Sequence, residues 1–146
     1  MTITIVPFDN LSVKQLYDIL RLRSEVFVVE QQCIFLDMDD KDQIAQHLMI
    51  YQKDQLLAYT RLYDKGQYYA ETSIGRVVVN PLNRNKKLGH ILMSESIKAI
   101  QTLYLDTKIR IGAQCYLINF YKAHGFEIDG HVYLEDGIEH VQMIRC

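Results

Sequence analysis

The chain has 146 residues, 16 Lys+Arg against 18 Asp+Glu and a net charge of -2, a size that fits one domain over residues 1–146 with a core that holds without metal or disulfides. No general basic surface advertises nucleic acid as a ligand, no apolar run approaches the ~20 residues of a membrane helix, and the first residues lack a signal-peptide layout, so the expectation is a cytoplasmic protein with no membrane partner. Cys33, Cys115 and Cys146 are odd in number and widely spaced, which argues against a disulfide framework or a zinc knuckle and reads as reduced thiols.

Thr2-Ile3-Thr4-Ile5-Val6 alternates polar and apolar before Pro7 and predicts a short strand. Asp9, Asn10 and Ser12 can cap a helix, or a broken pair of helices, whose apolar positions run from Leu11 to Phe27 and which ends near Glu30. The acidic loop Asp37-x-Asp39-Asp40-x-Asp42 resembles the opening of a calcium loop. The EF-hand pattern, however, needs glycine at Asp42 and glutamate at Leu48, so a solvated turn is the reading.

His47–Tyr51 and Leu56–Tyr63 predict an antiparallel hairpin around Lys53-Asp54-Gln55, and the apolar, β-branched run Ile74–Val79 predicts a strand buried on both faces. After Pro81 and a basic loop, Leu88–Leu103 carries a helical period, and Lys108–Ala113 reads as a strand parallel to the one before the helix. Tyr116–Ala123 predicts a short helix capped by Gly125. Phe126–Leu134 and Ile138–Ile144 follow as strands around an Asp136-Gly137 turn. The fold class is α+β: a mixed sheet, antiparallel at first and parallel in its middle, flanked by helices.

Arg84-Asn85-Lys86-Lys87-Leu88-Gly89 lies between a buried strand and a long helix. A helix start offers unpaired N–H groups and a positive dipole end. Arg84, Lys86 and Lys87 add cations and His90 a further donor, which suits a diphosphate.

Val77-Val78-Val79-Asn80-Pro81, then Arg-x-x-Lys-x-Gly, an amphipathic helix, a strand, and Asn119-Phe120-Tyr121-x-x-x-Gly125-Phe126 resembles the acetyl-CoA-binding core of the GNAT N-acetyltransferase superfamily. Leu22-Arg23-x-x-Val26-Phe27-Val28-Val29-Glu30-Gln31, Leu36-Asp37-x-Asp39 and Tyr133-x-Glu135-Asp136-Gly137-Ile138-x-His140 look like its ElaA branch. The resemblance implies acetyl-CoA as co-substrate, no metal, an amine acceptor on a small molecule or peptide, direct transfer in a ternary complex, and a homodimer.

It also implies that the strand before the loop bulges and splays from its parallel neighbour, so that the backbone of Val77, Val78 and Val79 holds pantetheine. Residues 84–90 (Arg84, Asn85, Lys86, Lys87, Leu88, Gly89 and His90) would take the diphosphate, and Asn119 would touch pantetheine. Tyr121 stands where the family places the acid for the departing sulfur; a phenol near 10 against a thiol near 8.5 makes that proton transfer uphill by ~2 kcal/mol. Lys87 departs from the family pattern, which has glycine there, and a positive φ at that position would cost about 1 kcal/mol.

Glu30 is the expected general base, with Glu71, His47 or a water chain as alternatives. Arg23 and His47 are expected to bind substrate, Arg23 because it lies about two helical turns from Glu30 and shares its face. A solvent-facing or structural ion pair is the equal alternative for Arg23, and a hydrogen-bonded structural place in its strand is the alternative for His47. The acidic loop leans toward a cationic acceptor. Cys115 as a nucleophile has no partner selected by spacing and reads as a small buried residue. Two other readings stay open: a coenzyme-binding module without turnover, and an acyltransferase related to acyl-homoserine-lactone synthases, which Arg23-x-x-Val26-Phe27 also resembles.

Overall fold

Strand β1 (Thr2–Pro7) runs through a 3-10 turn (Phe8–Asn10) to Ser12. The Ser12 hydroxyl accepts from the Gln15 N–H at 3.0 Å, and Gln15 Oε1 accepts from the Ser12 N–H at 2.9 Å. This reciprocal capping box starts helix α1 (Val13–Arg23). The chain then widens into a π-helical stretch, Ser24–Glu30, where each residue advances by less than in an α-helix. The computed structural model describes residues 1–146 apart from the side chains of Asn85 and Lys86, so the expected coenzyme contacts of those two lie outside the described residues.

Strands β2 (Gln46–Gln52) and β3 (Gln55–Tyr63) form the expected hairpin, with β1 beyond β2 and β4 (Thr72–Val79) beyond β3, all antiparallel. Helix α2 (Leu88–Tyr104) carries the chain to β5 (Ile109–Gln114), which lies parallel to β4. A 3-10 turn (Cys115–Leu117) and helix α3 (Ile118–Lys122) follow. Gly125, at φ +90°, ends α3: its N–H reaches the Lys122 carbonyl at 3.0 Å and the Phe126 N–H reaches that of Tyr121 at 3.2 Å.

The expected strand Phe126–Leu134 is two strands, β6 (Glu127–Ile128) and β7 (Tyr133–Glu135), which pair in turn with one edge of β8 (Ile138–Arg145). Between Ile128↔Met143 and Tyr133↔His140, residues 129–132 stand opposite only residues 141–142, so the surplus loops out. Gly130, at φ +136°, turns the chain in a conformation that a side chain would not tolerate. Asp136-Gly137, both at positive φ, close the two-residue hairpin into β8. The sheet order is β1-β2-β3-β4-β5-β8-β6, with β7 also on β8.

Both faces of the sheet are covered. Leu88, Leu92, Met93 and Ile100 of α2 pack on Leu48, Ile50, Leu62 and Ile74, while Ile19, Leu22 and Val26 of the first helix pack on Met49, Tyr59 and Val78. Neighbours such as Leu48 and Met49 thus point to opposite faces, which explains the unbroken apolar runs. Burial of β4 on both faces holds at Ile74 and Val78 and fails at Gly75, Arg76, Val77 and Val79, which are half-buried and line a cavity. Among the described residues no helix is long and apolar enough to cross a membrane.

Candidate active site

Among the described residues, strands β4 and β5 pair only at Thr72↔Ile109 and Ser73↔Arg110, and beyond Ser73 the β5-facing edge of β4 has no strand partner. Against β3, Tyr59 faces Val78 and Arg61 faces Gly75, so Arg76 and Val77 both stand opposite Thr60. This is a β-bulge, and Arg76 occupies it at φ +47°. A cavity of about 920 Å³ fills the gap, with Val77, Val78 and Val79 along one wall and Ile111, Gly112 and Gln114 along the other. Both the bulge and the parting of the strands agree with the expectation from the family resemblance.

The basic loop expected to take a diphosphate borders this cavity. The Asn80 side chain accepts from the Leu82 N–H at 3.1 Å, Pro81 starts a 3-10 turn, and Lys87 sits in the left-handed region at φ +55°, ψ +23°. The positive φ anticipated at the departing lysine is therefore present. Among the described residues no side chain caps the start of α2, a helix start whose first N–H groups suit an anion. Arg84 and Gly89 line the cavity, whereas the Leu88 side chain is buried in the core and leaves only its backbone for a ligand.

Tyr121 lines the cavity, packed edge-on against Phe120 and Phe126. Burial pushes its phenol well above the usual value, and among the described residues no protein hydrogen bond ends on its hydroxyl. Glu30 also lines the cavity, but it accepts two hydrogen bonds from Arg84, at 2.6 and 2.7 Å. Those bonds hold its carboxyl below the ordinary range, which makes the expected base a weak one.

His90 and Asn119 depart from expectation. His90 bonds His124 at 2.9 Å and stacks on it, with Phe120 tilted beside it, on the exposed side of α2, and neither it nor the exposed Asn119 is among the lining residues.

Arg23 and His47, expected to bind substrate, are structural. The π-helical stretch rotates Glu30 off the face of Arg23, whose side chain is wholly buried. Its guanidinium donates to Asp37 Oδ2 at 2.8 Å, Asp42 Oδ1 at 2.7 Å and the Asp37 carbonyl at 3.3 Å. His47 Nε2–H donates to the Asp42 carbonyl at 2.9 Å and Nδ1 accepts from the Tyr59 hydroxyl at 2.6 Å, which leaves no free lone pair for a base.

The acidic loop is not a solvated turn. Arg61 donates twice to Asp39, at 2.8 and 2.6 Å, and once to Asp42, at 3.0 Å. Arg76 donates to the Asp37 carbonyl at 2.8 Å, with Nε 2.9 Å from Asp37 Oδ1 in an ion pair not aligned as a hydrogen bond. Three guanidiniums thus neutralise Asp37, Asp39 and Asp42, and the loop keeps little net charge with which to attract a cation. Burial opposes ionisation of Asp39 and Asp42, but hydrogen bonds from Arg61 and Arg23 outweigh it and hold both carboxyls well below the usual range.

The cavity is also walled by residues that the sequence did not assign to it: Tyr69, Glu135 and His140 line it, and the Tyr133 hydroxyl reaches Gly112 of the opposite wall. A Cβ on Gly112 would lie 3.0 Å from the Tyr133 hydroxyl and 3.1 Å from that of Tyr69, so glycine makes room for both phenols. Gln31 exchanges amide hydrogen bonds with Gln114, at 3.1 and 3.3 Å, and the Cys33 thiol donates to the Asp136 carbonyl at 2.6 Å. The segment after the π-helix is thereby tied across the cavity to β5 and the β7–β8 hairpin. The legible signal was the Asp-Gly hairpin, whose register makes Tyr133 and His140 cross-strand partners.

Protein ElaA of Escherichia coli K12 is 40% identical over 139 residues, which cover 94% of this chain and 91% of that one. The crystal structure of an acyl-CoA N-acyltransferase from Pseudomonas aeruginosa superposes over 100% of both chains with a TM-score of 0.94 at 40% identity. That of E. coli ElaA superposes over 99% of both with a TM-score of 0.91 at 37% identity. The family model of the acetyltransferase (GNAT) domain matches residues 15–145, and the chain belongs to that family.

Proposed function

We propose that this protein transfers an acetyl group from acetyl-CoA directly to an amine, both substrates being bound together. The observation that carries this reading is the unpaired edge of β4, which runs from the bulge at Arg76 into the uncapped start of α2 along one cavity. Backbone groups of Val77–Val79 suit the amides of a pantetheine arm, and the α2 N–H groups with Arg84 suit a diphosphate. The residues present therefore fit the coenzyme, which supplies an activated acyl group on sulfur.

Backbone N–H groups aimed into a cavity between two strands stabilise developing negative charge on an acyl oxygen without reorganising. Tyr121 has a raised pKa and so keeps its proton at neutral pH, which makes it a hydrogen-bond donor to a departing thiolate rather than a strong acid. Glu30 holds Arg84 in place at the cavity rim, and the proton-accepting role passes to another residue.

Calorimetry with acetyl-CoA and a thiol-release assay over a panel of amines test the reading. Tyr121→Phe is expected to bind acetyl-CoA like the wild type and to lose about 10²-fold in kcat, the low end for a general-acid group. Absence of acetyl-CoA binding at millimolar concentration would remove the function, and unchanged turnover in the variant would remove Tyr121 from it.

A further inference from the structure

We infer that His140 is the general base of the acceptor site, with Glu135 as the carboxylate that stabilises its protonated form. The inference rests on the acyl-transfer reading above and assigns it a residue on the cavity wall formed by the β7–β8 hairpin.

His140 lies on β8, 7% exposed, and lines the cavity. Its Nδ1 is 2.8 Å from the Ile138 carbonyl, which can only accept, so Nδ1 carries the proton of the neutral ring. Nε2 is then the free lone pair. It stands 3.5 Å from Glu135 Oε2, too far for a strong hydrogen bond but within ion-pair distance once the ring carries a proton.

Tyr133, the cross-strand partner of His140, stacks on the imidazole at 5.7 Å and 27°, which fixes the ring plane. The arrangement is a base, its orienting hydrogen bond and a counter-charge, all on a hairpin that walls the cavity.

Of the other acceptors lining the cavity, Asp136 is exposed in the hairpin turn and, among the described residues, lacks the orienting hydrogen bond that His140 has. Glu30 is spent on Arg84 and Asp39 on Arg61, and burial keeps the Tyr69 phenol protonated. Glu135, by contrast, is hydrogen-bonded to no cation among the described residues, and its exposed carboxylate on the cavity wall is free to attract an ammonium.

A primary ammonium gives one proton to His140 Nε2 and becomes a neutral amine. Its nitrogen bonds to the acyl carbon as the carbon–sulfur bond breaks, and the second nitrogen proton ends on the thiolate held by Tyr121. The products are the amide, the thiol and one proton, which leaves from His140 to solvent.

His140→Asn keeps a donor for the Ile138 carbonyl and removes the base. Its expected phenotype is a 10²–10⁴-fold loss of kcat with melting temperature and acetyl-CoA affinity unchanged. In His140→Ala, added imidazole restores part of the lost rate, which a purely structural histidine would not allow. Wild-type turnover in His140→Asn, or no rescue of the alanine variant, overturns the assignment.

A readout independent of turnover separates this from failure of the acyl-transfer reading. In the protein saturated with coenzyme A, titration with 2-phenylethylamine is expected to shift the His140 imidazole NMR resonance and not that of His47. An unmoved His140 resonance overturns the proposal even where coenzyme A binds, and absence of coenzyme binding itself points to the prior reading.

Discussion

Arg23→Met should be the most damaging single change outside the cavity. The side chain is fully buried and satisfies Asp37 and Asp42 at once. Removing it leaves three carboxylates with two guanidiniums, one uncompensated negative charge in a dry setting. Breaking a buried ion pair by deleting one partner costs about 3–5 kcal/mol.

Asp42 keeps its hydrogen bond from Arg61 and Asp37 its contact with Arg76, which places the cost near the lower end, ~3 kcal/mol. For a chain of this size each kcal/mol moves the midpoint by roughly 2–4 °C, so thermal unfolding followed by circular dichroism should shift down by about 6–12 °C. Arg21→Met is the control: on the same helix, Arg21 makes an exposed i,i+4 pair with Glu25 and should shift the midpoint by less than ~2 °C, the effect of some 0.5 kcal/mol. A melting curve of Arg23→Met within 2 °C of wild type would refute the account of the cluster.

Lys87→Gly removes a left-handed strain of about 1–2 kcal/mol and adds about 0.4–1 kcal/mol of unfolded-chain entropy, so the melting temperature should rise by ~1–4 °C; a fall would show that the lysine side chain makes an offsetting contact. Glu30→Gln frees Arg84 from an exposed pair of about 0.2–1 kcal/mol, so calorimetry should show acetyl-CoA binding tightened by roughly 1.5–5-fold, and weakened binding would mean that the pair pre-organises the loop. Asp39 and Asp42 have folded-state pKa values below their unfolded ones; the stability they contribute is complete above about pH 4–5 and is lost as pH falls below the unfolded carboxylate value. Urea titrations at pH 6 and pH 3 check this, and equal midpoints would contradict it.

Periodicity and turn chemistry made most of the fold legible. The apolar repeat in α2, the capping residue Ser12 and the Asp136-Gly137 turn are local signals, and each marks its element within a residue or two. What was hidden depends on partners distant in sequence. Arg23 meets Asp37 and Asp42 only because the sheet brings α1 over the loop, and nothing in an acidic run reveals that three arginines wait for it.

The π-helical stretch was equally silent, because nothing in Ser24–Glu30 distinguishes a π turn from an α turn, and its wider turns rotate Glu30 off the face of Arg23. The split of the penultimate strand was signalled by Gly130, whose weight as a break depends on a φ that composition does not specify. In the candidate site, the place of the loop and Tyr121 in the chain put Arg84, Gly89 and Tyr121 on the wall of one cavity. His140 stood only within the family resemblance, with no role, because a histidine in a strand carries no periodic signal.

The charge cluster and the site are mechanically one object. Arg76 occupies the β4 bulge at φ +47°, a left-handed conformation that costs a non-glycine residue about 1–2 kcal/mol. Its guanidinium is fixed to Asp37, the residue that Arg23 anchors from the end of α1. Buried ion pairs contribute little net stability against an apolar alternative, so stability is a poor reason for spending three arginines here. Their geometric effect is clear: they brace the strand where it departs from regular pairing and turn its free edge toward the cavity. Had the bulge been absent, β4 would stay in register with β3 and its edge would be available to β5, closing the gap in which the acyl group is proposed to sit.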